Sequence, residues 1–181
     1  MESVGKSFDV DGKFREIEGI FGVFKEDRPW REYDYDGEAI KIVSGLTDIL
    51  KEINQKSPNK PNNRRLVDRV CKFIDEISEK GDAVWDLSRQ KRSGEILFSF
   101  LNELAVDKKF VPQIDRIFRS GDDTYPLVNW ISCEHKEKFN ELFKKLPEWY
   151  QNKLLGETIS YEEGDKTYTC SLIGGTALMG F

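Results

Sequence analysis

The sequence predicts an α+β protein, mainly helical, with antiparallel β-hairpins at its N- and C-terminal ends. Apolar residues recur with helical spacing from about residue 44 to residue 155, a length that suits five to six helices. Near each end, alternating residues flank a two-residue turn sequence, Asp36-Gly37 or Gly164-Asp165. The 181 residues suit a single domain. Within it we expect a β-rich N-terminal region (residues 1–43), a helical body (residues 44–155), and a C-terminal hairpin and tail (residues 156–181).

The N-terminal hairpin is predicted from the two faces that a turn at Asp36-Gly37 creates. The apolar face consists of Tyr33, Tyr35, Ile40 and Ile42, and the charged face of Glu32, Asp34 and Lys41. Upstream, residues 5–26 stay open between strand and helix. Asp11-Gly12 favours a turn there, whereas the spacing of Phe14, Ile17 and Phe21 favours a helix.

In the helical body, the most apolar segment follows Ser93, which is a typical helix-capping residue. We expect that helix at the centre of the core because it is apolar nearly all round. Segment 55–63 contains prolines and asparagines and is predicted to be a loop. Further helices are expected at about 64–80, 112–118, 132–146 and 147–155, the third of them capped by Ser132.

The C-terminal hairpin is the clearest local signal, because a turn at Gly164-Asp165 assigns every residue to a consistent face. The face expected to be buried consists of Ile159, Tyr161, Tyr168, Cys170 and Leu172, with Tyr161 opposite Tyr168 and Ile159 opposite Cys170. We expect the two terminal hairpins to meet in one small sheet that covers the helical body. The apolar, glycine-rich tail that follows either packs on the domain or attaches a partner.

Composition limits the class of partner. The net charge is −5, with 34% charged and 38% hydrophobic residues, which is typical of a folded, acidic protein. Negative charge argues against general binding to nucleic acids or anionic membranes. No apolar run is long enough for a signal peptide or a bilayer crossing. The three cysteines lack disulfide spacing, so we expect them to be reduced and the protein to be cytoplasmic.

Residues that carry catalysis or bind metals are scarce. The sequence has one histidine, His135, and three cysteines, Cys71, Cys133 and Cys170, without the close pairs of a zinc site. No glycine-rich phosphate loop occurs in it. We therefore expect no catalytic residue, no metal and no cofactor, and predict that the protein is not an enzyme. An enzyme that works through carboxylates alone stays open, and it would need several of these in one pocket: Asp34, Asp36, Asp122 and Asp123.

The favoured function is that of a small, non-enzymatic protein-binding module, such as an inhibitor, an immunity or anti-defence protein, or an accessory subunit of a complex. Its candidate surface is the segment in which aromatic and acidic residues alternate. That surface consists of Trp30, Tyr33, Asp34, Tyr35 and Asp36. Tyrosine and tryptophan supply rigid contact area, and carboxylates attract a partner with a basic surface. The alternative is that Tyr33 and Tyr35 only form the inward face of the predicted hairpin.

A second function class is a nucleic-acid-binding subunit that uses the basic segments 56–72 and 88–92. The residues that would contact phosphates are Lys60, Arg64, Arg65, Arg69, Arg89 and Arg92. Two observations oppose it. Asp68 and Glu76 lie four residues on either side of Lys72, the spacing of a solvated, ion-paired helix face. No aromatic residue lies between the basic residues to stack on bases.

We expect no binding of a short fluorescent DNA duplex or single-stranded RNA near physiological salt, and no change in the R64E/R65E variant. The net negative charge weakens the attraction to phosphates that drives such binding. Fluorescence anisotropy over a salt series measures the affinity. Tight, salt-sensitive binding that the double variant abolishes would support the nucleic-acid class instead.

Overall fold

The computed structural model describes residues 8–24, 35–55, 61–80, 82–89, 93–122, 125–163 and 166–173. Within these residues the chain is mainly helical, with eight α-helices rather than five to six, and with two small antiparallel sheets of two strands each. The helices are α1 (Val10–Phe24), α2 (Tyr35–Gln55), α3 (Pro61–Lys80), α4 (Ser93–Leu104), α5 (Val111–Phe118), α6 (Leu127–Glu134), α7 (Lys136–Lys145) and α8 (Glu148–Gly156). The strands are β1 (Gly121–Asp122), β2 (Tyr125–Pro126), β3 (Thr158–Glu163) and β4 (Lys166–Ser171). A 3₁₀ helix spans Asp82–Arg89, and a 3₁₀ turn spans Lys108–Phe110.

Helix α4 lies at the centre of the core, as its apolar composition predicts. It packs against α2, α5, α7 and the 3₁₀ helix, and its side chains Leu97, Phe100, Leu101 and Leu104 are fully buried. Trp85 of the 3₁₀ helix stacks on Phe100, with ring centroids 5.7 Å apart. Because burial of apolar side chains is the dominant favourable contribution to folding, these contacts hold the helices together.

The open question at residues 5–26 is resolved in favour of a helix, α1. Asp9 precedes this helix, and its carboxylate Oδ1 accepts a hydrogen bond from the Gly12 amide at 2.9 Å. That bond satisfies one of the free donors of the first turn. Phe14 and Ile17 are fully buried, and α1 packs on α2. Burial of the apolar residues at helical spacing therefore stabilises this helix more than its glycines destabilise it.

The predicted N-terminal hairpin is wrong, because α2 begins at Tyr35 and Asp36-Gly37 lies in its first turn. Residues 10–24 and 35–43 of the region expected to be β-rich are helical. The buried side chains near the start of α2 follow helical spacing: Ala39, Ile42, Val43 and Leu46. An aspartate in the first turn interacts favourably with the helix dipole, and intrahelical bonding is still incomplete there. Most of the predicted first strand lies outside the described residues.

The predicted helix 132–146 is interrupted at His135, which separates α6 from α7. Ser132 lies within α6, where its hydroxyl donates to the Asn129 carbonyl at 2.9 Å instead of capping a helix. The His135 ring packs edge-on against Phe98 of α4, with ring centroids 5.7 Å apart. It also lies so close to Gly94 that a Cβ there would come within 3.1 Å of the ring. The single histidine thus has a packing role between α4 and the break.

The register of the C-terminal hairpin is confirmed, since Tyr161 pairs with Tyr168 and Ile159 with Cys170. Its expected burial is confirmed only for Leu172. Ile159, Tyr161 and Cys170 are half-buried, and Tyr168 is 39% exposed. The two strands pack mainly against each other, whereas Leu172, just after β4, is buried in the core. Within the described residues the hairpin is a sheet of its own and pairs with no N-terminal strand.

Arg69 of α3 holds α1 in place. Its guanidinium forms ion pairs with Asp11 and Glu18, both at 3.0 Å. It also lies over the Phe14 ring, 4.1 Å from the ring centroid. A cation above an aromatic face gains attraction in addition to the ion pairs. Arg69, which the sequence suggests as a candidate phosphate contact, therefore links α3 to α1.

Replacing Arg69 with alanine should lower the free energy of unfolding by about 1–2 kcal/mol, the sum of two partly exposed ion pairs and one cation–π contact. The matched control is Arg65→Ala, an exposed arginine one turn earlier on the same helix, which should leave stability nearly unchanged. Urea unfolding followed by circular dichroism measures both. Equal effects of the two variants would contradict the role assigned to Arg69.

Candidate protein-binding surface

The C-terminal hairpin presents a half-exposed aromatic face. The aromatic face consists of Ile159, Tyr161, Tyr168 and Cys170, which share one side of the β3–β4 sheet. The rings of Tyr161 and Tyr168 are stacked, with centroids 5.4 Å apart and planes inclined by 18°. Stacked cross-strand tyrosines stabilise each other and form a rigid, amphipathic contact area.

The opposite face of the hairpin is polar. Hydroxyl and carboxyl side chains cover it: Thr158, Ser160, Glu162, Thr167 and Thr169 are exposed. The hydroxyls of Ser160 and Thr169 are hydrogen-bonded to each other at 3.0 Å across the strands. The hairpin is therefore amphipathic, although its apolar side is only partly covered by the helices.

The hydrogen-bonding pattern determines which backbone groups point away from the hairpin. The Leu172 amide donates to the Glu157 carbonyl at 2.9 Å, so these two residues form a hydrogen-bonded pair. Such pairs alternate along an antiparallel ladder with pairs whose backbone groups point outward. The register then places outward-pointing groups on Thr158, Ser160 and Glu162 of β3 and on Thr167, Thr169 and Ser171 of β4.

One edge of the hairpin is partly covered by α6. The side-chain amide of Asn129 donates to the carbonyls of Ser171 and Leu172, at 3.5 and 3.1 Å. Within the described residues of the chain, no hydrogen bond reaches the outward-pointing backbone groups of Thr158, Ser160 or Glu162 on the β3 edge. Of the two edges, the β3 edge is therefore the more open among these residues.

A polar network, the Asp115 network, anchors the entry of the hairpin to the helices. It consists of Asp115 of α5, Arg119 directly after α5, Tyr150 and Lys153 of α8, and Glu157, which leads into β3. Asp115 accepts hydrogen bonds from Tyr150 Oη at 2.9 Å and from Arg119 Nε at 3.1 Å. Arg119 also donates to Glu157 Oε2 at 2.6 Å. Asp115 thus links α5 to α8, and Arg119 extends the network to the residue that precedes β3.

The electrostatics of this network favour its charged state. Burial by itself would raise the pKa of Asp115, but hydrogen bonds from Arg119 and Tyr150 and the positive charges of Arg119 and Lys153 outweigh it and lower that pKa. Burial and the adjacent carboxylate raise the pKa of Tyr150, which therefore stays protonated and keeps donating. The hydrogen bond to Asp115 raises the pKa of Arg119. The hydrogen bonds hence persist at neutral pH.

The exit of the hairpin is held by apolar burial. Leu172 and Ile173 follow β4 directly and are 2% and 1% exposed. With the Asn129 hydrogen bonds beside them, they fix the second strand where it returns to the helices. Anchors at both ends orient the aromatic face relative to the body of the protein.

Charge is distributed unevenly along the hairpin. Residues 158–161 and 167–171 carry no charged side chain. The acids are concentrated at its tip and at its entry: Glu157, Glu162, Glu163 and Asp165, against the single base Lys166. Since Glu157 is paired with Arg119, the remaining acids of this segment are those that follow Tyr161 in the sequence.

The side chains of the sequence-predicted surface lie outside the part of the chain that the structure describes. Trp30, Tyr33 and Asp34 lie outside the described residues, and Tyr35 and Asp36 begin α2 with side chains that also lie outside them. Of the basic candidates, the structure describes the side chains of three, all on α3. Arg64 and Arg65 are exposed on α3, Arg69 is bound to α1, and the Arg89 side chain lies outside the described residues, as do Lys60 and Arg92.

The Cys71 thiol is protonated, and the arginines of the cleft beside Asp115 are paired with carboxylates. Burial, with the nearby charges of Asp75 and Asp68, raises the pKa of the Cys71 thiol to about 11, so it is not a thiolate at neutral pH. A cleft of about 290 Å³ lies beside Asp115 and Arg119. Its cations are already paired, since Arg116 binds Asp75 and Arg119 binds Asp115. Among the described residues, no group of three or more histidine, cysteine or acidic side chains is arranged to hold a metal ion.

The sequence did not predict two properties of this site. Alternation identified the residues of the aromatic face but predicted that they belong to the core, because it shows which residues share a face and not whether a helix covers that face. The Asp115 network has one local signal, the four-residue spacing of Asp115 and Arg119. Its links to Tyr150 and Glu157 join residues 35 and 38 positions apart, and no local pattern reports them.

Comparisons of the chain with protein-family models, with curated proteins and with solved structures each found no match. In the portion of the chain that the structure describes, every helix is too short or too polar to cross a bilayer.

The Asp115→Asn variant should lose about 1–2 kcal/mol of stability at neutral pH, the scale for a partly buried hydrogen bond to a charged group. Because the folded-state pKa of Asp115 lies below its unfolded value, its contribution is present above about pH 4 and is lost as the pH falls through the folded pKa. Urea unfolding at a series of pH values from neutral to strongly acidic should therefore show less acid sensitivity in the variant.

The matched control for this experiment is Asp68→Asn, which changes an exposed aspartate on α3. It should keep the acid sensitivity of the unchanged protein. An Asp115→Asn variant with the stability and pH profile of the Asp68→Asn variant would contradict the anchoring role of the network.

Proposed function

We propose that the chain is a single-domain, non-enzymatic, cytoplasmic protein-binding module, and that it binds its partner through the aromatic face of the C-terminal hairpin. The observation that carries this proposal is the stacked pair Tyr161–Tyr168 on a half-exposed face, with Tyr168 39% exposed. Exposed tyrosines on a rigid support are favoured at the centres of protein interfaces. The anchors at Glu157 and Leu172 support the rigidity.

The partner class is a protein with a basic surface. The acids at the hairpin tip support this choice, because Glu162 is exposed and the sequence places Glu163 and Asp165 beside it. Carboxylates at the rim of an aromatic patch increase the association rate with a cationic partner. The net charge of −5 acts in the same direction over a longer range.

The biological roles that fit are those of an inhibitor, an immunity or anti-defence protein, or an accessory subunit of a complex. All of them act by covering a surface of another protein and need no catalytic group. The aromatic and acidic segment from Trp30 to Asp36 stays a prediction for a second contact region. The nucleic-acid class is weakened by the engagement of Arg69 with Asp11 and Glu18.

The proposal is tested by affinity capture from extracts of the native host, with the captured proteins quantified by mass spectrometry. The test variant is Tyr161→Thr/Tyr168→Thr, which removes both rings and keeps residues with high strand propensity. A specific partner should be depleted at least tenfold, since each interface tyrosine contributes about 1 kcal/mol or more. The matched control, Trp149→Ala, removes a 61% exposed aromatic side chain from α8 and should retain the partner.

A charge-reversal pair tests the partner chemistry on the same captured protein. Glu162→Lys should slow association several-fold and reduce its salt dependence, because it reverses charge at the hairpin tip. Glu141→Lys makes the same change on an exposed residue of α7 and should have a smaller effect. Capture that both hairpin variants leave unchanged would contradict the proposal, as would a captured species that is a nucleic acid.

A further inference from the structure

The open edge of β3 can pair with another strand, and we propose that its occupant is the β3 edge of a second copy of this chain. Two copies would then form one continuous four-stranded antiparallel sheet across a two-fold axis. The inference goes beyond the proposed function and does not depend on it. Each strand of a two-stranded sheet has ladder hydrogen bonds on one side only, so added strands would give the hairpin further backbone hydrogen bonds.

The β3 edge lacks the features that usually prevent such pairing. Natural edge strands are commonly protected by charged side chains, prolines or bulges. β3 pairs with β4 in an uninterrupted register from Thr158 to Glu163, without a bulge or a proline. Residues 158–161 are uncharged, and the first acid along the edge is Glu162, near the tip.

The edge is complementary to itself in one register. With the two-fold axis at Ser160, Ser160 faces Ser160 of the second copy, and Thr158 faces Glu162 of the second copy. These are the β3 residues whose backbone groups point outward, so each facing pair can exchange two hydrogen bonds. Among these outward-pointing residues, no two acids then lie directly opposite each other.

The same register extends the aromatic face. Ile159 of one copy lies opposite Tyr161 of the other, so apolar side chains continue across the axis on one side of the sheet. The antiparallel arrangement places the two acidic tips at opposite ends. It brings Glu163 of one copy opposite Glu157 of the other, whose charge Arg119 already neutralises at 2.6 Å.

Asn129 is the reason that we place the second copy on the β3 edge and not on the β4 edge. Its side-chain amide donates to the outward-pointing carbonyl of Ser171 at 3.5 Å, so α6 lies beside the end of the β4 edge. A strand added there would displace that contact. The equivalent position on the other edge is Thr158, which is exposed.

Sedimentation velocity over a range of protein concentrations tests the proposal without any other protein. The unchanged chain should sediment as a dimer, and Ser160→Pro should shift it to monomer, because proline removes an outward N–H and blocks the edge. The matched control is Thr169→Pro. It removes the outward N–H of the cross-strand partner and the same Ser160–Thr169 hydroxyl contact, but on the β4 edge. This control should remain a dimer.

A second pair of variants, with arginine in place of proline, tests the same proposal if proline disturbs the hairpin. Ser160→Arg places like charges opposite each other at the two-fold axis and should give a monomer at low salt that partly dimerises at high salt. Thr169→Arg should remain a dimer at both. Monomeric behaviour of the unchanged chain up to its solubility limit would overturn the proposal, as would equal dissociation of the two edge variants. Partner capture is a separate measurement, so neither result decides the proposed function.

Discussion

The carboxylate of Asp115 is the interaction on which the arrangement of the C-terminal third depends. It accepts hydrogen bonds from Tyr150 and Arg119, and Arg119 in turn binds Glu157, whose carbonyl starts the hairpin ladder. A partly buried carboxylate is costly unless its lone pairs are satisfied, so the network favours one position of α8 relative to α5. The hairpin follows from that position, because β3 begins where the network ends.

The outcome at the two ends of the chain shows what local sequence determines. At the C-terminal end, turn residues and alternation agreed and gave the correct register of β3 and β4. At the N-terminal end, the alternation around Asp36-Gly37 covered too few residues to exclude the helical spacing that continues from Ala39 to Leu46. Burial was harder to predict than register. Tyr168 lies on the expected face, yet whether a helix covers that face depends on tertiary contacts far away in sequence.

In the function and the dimer that we propose, the backbone edge of the hairpin and its two tyrosine rings make the contacts, and no reactive group is needed. His135 packs between helices, and the raised pKa of Cys71 keeps its thiol protonated. The exposed polar atoms of the β3 edge and the rings of Tyr161 and Tyr168 form one continuous feature of the hairpin. A rigid sheet of this kind supplies directional hydrogen bonds at its edge and apolar contact area on its face, which are the two elements of strand-mediated recognition.

Hydrogen exchange at single backbone amides tests most directly whether the Asp115 network positions the hairpin. In the unchanged protein, the ladder amides of Tyr161 and Tyr168 should exchange slowly, as should Leu101 in the core. In Arg119→Gln, which breaks the link to Glu157, the two tyrosine amides should exchange faster while Leu101 keeps its protection. Unchanged protection of the tyrosine amides, or a loss of protection shared equally with Leu101, would contradict the account.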